Sequence, residues 1–253
     1  MQKILKWLPG YDIPFWLAPL GLSVRLFFHA ISLDALMRIR SAEFRGCCRW
    51  MGAKSFHLVA FAAVFVSIAL TIQCVFEMRK YDAQALSGAV ISIGLLRELG
   101  PLTVSLAWCA RVSALVGHEA RNYPGSNDIG EFGRTFVCPR YLAALAMALP
   151  LGAYGLVAGF ITGALVAPLL GVSSTSQFLE SARQGIEHRD LAVYFFKLNL
   201  VNPTIGVLAG CAAGWYGRGS GNVSVAVGAN AVTATFLAGY IANLLVTYAA
   251  YIH

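Results

Sequence analysis

The chain has 253 residues, is 58% hydrophobic and 12% charged, and has a mean hydropathy of +0.66. Its charged fraction is about half that of a soluble domain, which points to an integral membrane protein. The net charge of +7 is concentrated near the N-terminus, in Lys3, Lys6, Arg25, Arg38, Arg40, Arg45, Arg49 and Lys54, so it reads as a lipid-headgroup-facing segment and not a nucleic-acid patch.

Residues 14–50 set Phe15, Trp16, Leu20, Leu26, Phe27, Phe28 and Leu36 against Arg25, Arg38, Arg40 and Arg45. This predicts one or two amphipathic helices in the membrane interface, within an interfacial region 1–54. Asp34 and the arginines after it disfavour the alternative of a short first span. The first span is expected over Ser55–Met78, closed by Arg79, Lys80 and Asp82. The second runs over Gln84–Gly117 and contains Leu96-Arg97-Glu98-Leu99-Gly100-Pro101-Leu102-Thr103. Charges in an apolar run are costly and face protein or a wet cavity. The Gly-Pro pair frees backbone groups that a neighbouring helix or water must satisfy.

Residues 118–140 are turn-rich and expected to form a loop. The remaining spans are expected over Tyr141–Leu170, Leu191–Tyr216 and Val225–Tyr251. A short amphipathic helix at about 173–188 and a Gly217–Gly221 connector separate them. The fold class is therefore an all-α membrane bundle with interfacial helices and five transmembrane helices, the membrane-spanning part covering 55–253. The positive-inside rule sets twelve basic residues, the eight of the N-terminal region with Arg121, Arg134, Arg140 and Arg218, against the four Arg79, Lys80, Arg183 and Arg189. It predicts a cytoplasmic N-terminus and an extracytoplasmic C-terminus.

Gly155, Gly159 and Gly163, and Gly206, Gly210 and Gly214, each line one helix face. Packing within the chain is the first reading of both sets, a subunit interface the second. Arg97 and Glu98 diverge on a helix, so each needs its own partner. Lys197, Asn199, Asn202 and Tyr81 are the candidates. Lys197 either snorkels to the interface or lines a cavity. Arg111 reads as structural. The six cysteines and His118-Glu119 lack metal-ligand spacing, and no nucleotide loop or cofactor motif is present.

Gly94–Thr103, Ala110-Arg111-Val112, His118-Glu119, Pro139-Arg140 and Val227–Val232 together resemble the MlaE/YrbE permease family, and Ala85–Ala89 leans toward its actinobacterial YrbE branch. The resemblance covers about residues 15–250. It implies a permease subunit, not an enzyme, paired with a second permease subunit. A cytoplasmic ABC ATPase dimer and a ring of MCE-domain proteins would complete the transporter, which moves lipids or fatty acids. It also implies that Tyr81, Arg97, Glu98 and Lys197 line the lipid cavity. Ala110 and Ser113 stand where the family has glycines, and residues 121–132 replace a longer acidic helix. Asp128, Glu131 and Phe132 are the expected ATPase-coupling residues of that altered loop. A divergent scaffold half of a heterodimeric permease is the competing expectation, and a lipid-modifying enzyme using Glu98 is a remote third.

Overall fold

The computed structural model describes residues 18–37, 39–125, 127–172, 174–218 and 224–252. Expectations that fall on Pro14, Phe15, Trp16, Arg38 and Gly219–Gly221 lie outside the described residues. The elements are α1 (Ala18–Ala30), α2 (Leu33–Met37), α3 (Ser41–Met51) and α4 (Phe56–Arg79). They are followed by α5 (Gln84–Arg121), α6 (Ile129–Leu169), α7 (Thr175–Gly185), α8 (His188–Tyr216) and α9 (Ser224–Tyr251). Among the described residues, five helices are long and apolar enough to cross a membrane: α4 (continuous with α3), α5, α6, α8 and α9. Among the described residues there is no strand.

The spans run up and down, so the bundle has two ends. One carries α1–α3, the 122–128 connector and residues 217–218. The other carries the turn at 80–83, α7 and the end of α9. Leu22, Leu26 and Ala30 recur at four-residue spacing and form the buried stripe of α1, while Val24 and Phe28 are exposed. That stripe seats α1 on α8 and α6: Ser23 donates to the Leu208 carbonyl, and Phe27 meets Tyr141 edge-on at 5.9 Å. α3 lies along α6 and turns into α4 through Ala53–Ser55.

The two glycine sets pack within the chain. A Cβ on Gly210 would stand 2.5 Å from the Ser113 carbonyl oxygen, and one on Gly206 would stand 2.9 Å from the Cys109 Cβ. α5 and α8 thus touch backbone to backbone, which any side chain at those positions would prevent. Gly155, Gly159 and Gly163 likewise bring α6 onto Val59, Ala63 and Ser67 of α4.

The region 118–140 differs from expectation. α5 continues to Arg121 and α6 begins at Ile129, so most of the expected loop is helical. The Asp128 carboxylate accepts from the Glu131 N–H at 2.9 Å and caps the new helix start. Phe132 and Phe136, one turn apart, stack on each other at 4.9 Å inside the core and hold that start in place.

Three wider, π-type turns occur: Leu95–Ser105 in α5, Gly133–Val137 in α6 and Lys197–Val201 in α8. Each contains a proline or ends two residues before one, at Pro101, Pro139 and Pro203. Proline has no N–H to give the carbonyl four residues back, and its ring crowds that carbonyl. The wider turn relieves the clash.

A candidate polar site between three spans

The missing N–H of Pro101 leaves the Arg97 carbonyl without its helical donor. A buried carbonyl cannot stay unpaired in a membrane. Here the donor is a side chain: the Lys197 ammonium lies 2.6 Å from the Arg97 carbonyl oxygen. The lysine therefore does not snorkel, for its side chain is fully buried. It also donates to the Thr247 hydroxyl at 2.5 Å and stands 3.5 Å from a Glu98 carboxylate oxygen. Thr247 in turn donates to a Glu98 carboxylate oxygen at 2.5 Å, so three spans meet at one ion pair.

Arg97 turns the other way. Its Nε donates to the fully buried Asp190 at 2.7 Å, and its guanidinium lies 4.4 Å from the centroid of the Tyr251 ring. Asp190 accepts from the Tyr251 hydroxyl at 2.5 Å and from the Glu187 N–H at 3.2 Å, which also caps α8. Deeper along the same seam, Asn202 donates to the Pro101 carbonyl at 3.1 Å and to Ser105 at 3.0 Å. Asn243 donates to Asn202 at 2.6 Å.

The result is a ladder of three polar rungs joining α5, α8 and α9. α9 contributes Asn243, Thr247 and Tyr251, spaced by four so that all lie on one face. Arg97 and Glu98 keep 31% and 37% of their side chains exposed, whereas Asp190 and Lys197 keep none. Their outer faces therefore look away from the chain.

Of the residues expected at this site, the structure joins Arg97, Glu98, Lys197 and Asn202. Tyr81 stands apart, exposed in the turn before α5, with about 20 Å of helix rise between Gln84 and Arg97. Asp190, Tyr251, Thr247 and Asn243 were missed. The signal for the last three was present, as polar side chains at four-residue intervals in an apolar span. A small void of about 10 Å³ is lined by Leu95, Gly100, Gly155 and Tyr194 among others.

The expected coupling residues sit at the opposite end. Asp128 and Glu131 are exposed, while Phe132 is fully buried against Phe136 and Trp215. Arg218 lies over Trp215, Phe132 and Tyr123 at 4.4, 4.5 and 5.2 Å and donates to the Ala120 carbonyl. Burial among these rings pushes its pKa down from the ordinary arginine value. Beside this cluster, Arg140 joins Glu119 and Glu43 and ties α3, α5 and α6 together. Arg111 donates to the Ser55 hydroxyl, a structural contact. Among the described residues, no group of three or more His, Cys, Asp or Glu side chains is placed to hold a metal ion.

The family described as permease MlaE matches residues 45–119 and 132–249. A probable ABC transporter permease protein of Rickettsia typhi is 26% identical over 206 residues, covering 78% of this chain and 79% of the relative. One from the cyanobacterium Synechocystis is 26% identical over 205 residues, covering 78% of each chain. One from the red alga Porphyra purpurea is 24% identical over 104 residues, covering 41% of this chain and 40% of the relative.

Proposed function

The chain belongs to the MlaE permease family, and from that membership we propose that it is the permease subunit of an ABC transporter that moves lipids or fatty acids between the membrane and an MCE-protein conduit. The α1–α3 end faces the cytoplasm and meets an ATPase dimer. The α7 end faces out, toward the MCE ring. A second permease subunit covers the seam of α5, α8 and α9.

The observation that carries this reading is the uneven burial of the two ion pairs. Lys197 and Asp190 are sealed inside, while Arg97 and Glu98 present about a third of their surfaces outward. In a span, charge left partly exposed is expensive against lipid tails. A wet chamber shared with a second subunit removes that cost and offers an amphiphile both signs of charge. Tyr81, Arg97, Glu98 and Lys197 are assigned to this lipid path, Tyr81 at its outer mouth. Asp128 and Glu131 are assigned to ATPase contact, with Phe132 anchoring their helix from inside.

The test uses the assembled transporter in nanodiscs, with Lys197→Met and Glu98→Gln combined so that no charge is left unpaired. Lipid co-purification and ATP-driven lipid flux should both fall by about tenfold or more, as for loss of a substrate-binding charge pair. Unchanged loading and flux would overturn the reading.

A second reading has its own observation. The family match breaks over residues 120–131, the segment assigned to ATPase contact. A scaffold half of a heterodimer would tolerate this break. Asp128→Ala with Glu131→Ala separates the two: loss of ATPase association supports the coupled permease, and indifference supports the scaffold.

A further inference from the structure

The two ion pairs of the ladder are built differently. Arg97 meets Asp190 directly at 2.7 Å, the usual length of a charge-assisted hydrogen bond. Lys197 and Glu98 stand 3.5 Å apart, too far for one. The Thr247 hydroxyl lies between them, 2.5 Å from the ammonium and 2.5 Å from a Glu98 carboxylate oxygen.

A hydroxyl has one proton to give and two lone pairs to receive. The ammonium can only donate, so it occupies a lone pair of Thr247 and leaves the hydroxyl proton for an acceptor. Two acceptors are in reach: the Asn243 carbonyl at 3.1 Å and the Glu98 carboxylate at 2.5 Å. Thr162 and Thr235 follow the ordinary helical habit and donate to the carbonyl four residues back, each at 2.8 Å. Thr247 lies farther from its own such carbonyl and closer to the carboxylate, so its proton goes to Glu98. Lys197 is pinned at its end by the Arg97 carbonyl at 2.6 Å. The other Glu98 oxygen has no hydrogen bond among the described residues and is not sealed within the chain, for the side chain is 37% exposed.

We propose that Thr247 is a positioning residue: its hydroxyl is a spacer that holds the Lys197–Glu98 pair open and keeps one Glu98 oxygen free on the outer face of the seam. An ammonium and a carboxylate in direct contact satisfy each other and leave little for a third group. Bridged by a hydroxyl, each keeps part of its bonding capacity, and the spare part of Glu98 falls on its exposed side. The role of that oxygen rests on the transport reading, in which it meets the substrate headgroup or its water. The spacing itself belongs to the chain and needs no transport.

The test compares Thr247→Val, which removes the hydroxyl at nearly constant shape, with Thr247→Ser, which keeps it. Thr247→Ala replaces the valine variant should that fail to fold. The assembled transporter in nanodiscs, without nucleotide, is treated with dicyclohexylcarbodiimide. The Glu98 adduct is followed by mass spectrometry, with Glu98→Gln as the blank. Thr247→Val should slow adduct formation about fivefold, the worth of one net hydrogen bond, because the pair closes and covers the free oxygen. Thr247→Ser should restore the parent rate. In vesicles of graded fluorescent phosphatidylglycerol, the half-saturating lipid content for ATP-driven flux should rise about fivefold in Thr247→Val, with the maximal rate within about twofold of the parent.

An adduct that forms at the parent rate or faster in Thr247→Val overturns the spacer, and so does a serine variant that behaves like valine. A slowed adduct with an unmoved half-saturation overturns the positioning role. None of these results touches the transport reading, which falls only if Lys197→Met with Glu98→Gln leaves lipid loading and flux intact.

Discussion

The α4–α6 contact and the α5–α8–α9 seam solve the same problem by opposite means. Between helices in lipid there is no hydrophobic drive, so contacts must come from close packing or from polar bonds. α4 and α6 use the first: Gly155, Gly159 and Gly163 admit Val59, Ala63 and Ser67, and Ser67 donates to the Gly159 carbonyl at 2.6 Å. The seam uses the second, with two ion pairs and a pair of asparagines. Close packing tolerates no added volume. The polar seam tolerates no missing partner. The seam therefore depends on matched partners, and the α4–α6 contact on matched shape.

The largest break in that contrast should come from Lys197→Met. It leaves the Arg97 carbonyl unpaired and Glu98 without its cation, at a cost of about 3 kcal/mol. Thermal unfolding in detergent should show the loss, and adding Glu98→Gln should recover part of the stability but none of the flux. A single variant as stable as the parent would remove the seam's special standing. Gly155→Leu attacks the other half. Its side chain would press on Val59 and Val104, whose methyls lie 3.0 and 3.1 Å from where a Cβ would stand. A cost of about 2 kcal/mol is expected, with lipid selectivity unchanged in the folded fraction.

Tyr251→Phe removes one of the donors to Asp190 and should cost about 1 kcal/mol, read as a lowered unfolding midpoint. The smallest effect belongs to neither region. Asp128→Ala removes the cap of α6 and should cost about 0.5–1 kcal/mol, seen first as faster proteolysis at 122–128. Should proteolysis stay unchanged, the aromatic cluster of Phe132, Phe136 and Trp215 alone fixes that helix start.

Much of the bundle was legible in the sequence because apolar run length sets span number and small-residue spacing sets close faces. The demand of the Gly-Pro break for an outside donor was legible too. What answered it was harder to see: Lys197 was read as snorkelling or cavity-lining, and its bond to the Arg97 carbonyl depends on how α8 is rotated against α5. Asp190 fell between the expected short helix and the span from Leu191 and was not singled out, since nothing local says it will be buried. The early start of α6 was hidden by Gly130 and Gly133, which lower helix propensity, while burial of Phe132 and Phe136 decided the outcome. Tyr81 was read as a partner because it stands near the start of the second span, but it lies in the turn before α5, well away from the charges.

The bond between Lys197 and the Arg97 carbonyl has a mechanical consequence. In an ordinary proline kink the freed carbonyl is met by backbone, water or a short hydroxyl, and the bend is fixed by the sequence. Here it is met by the tip of a long side chain from another helix. The shape of α5 at Pro101 is thus tied to the placement of α8: moving Lys197 away would leave the Arg97 carbonyl without a donor, so the two helices hold their register together.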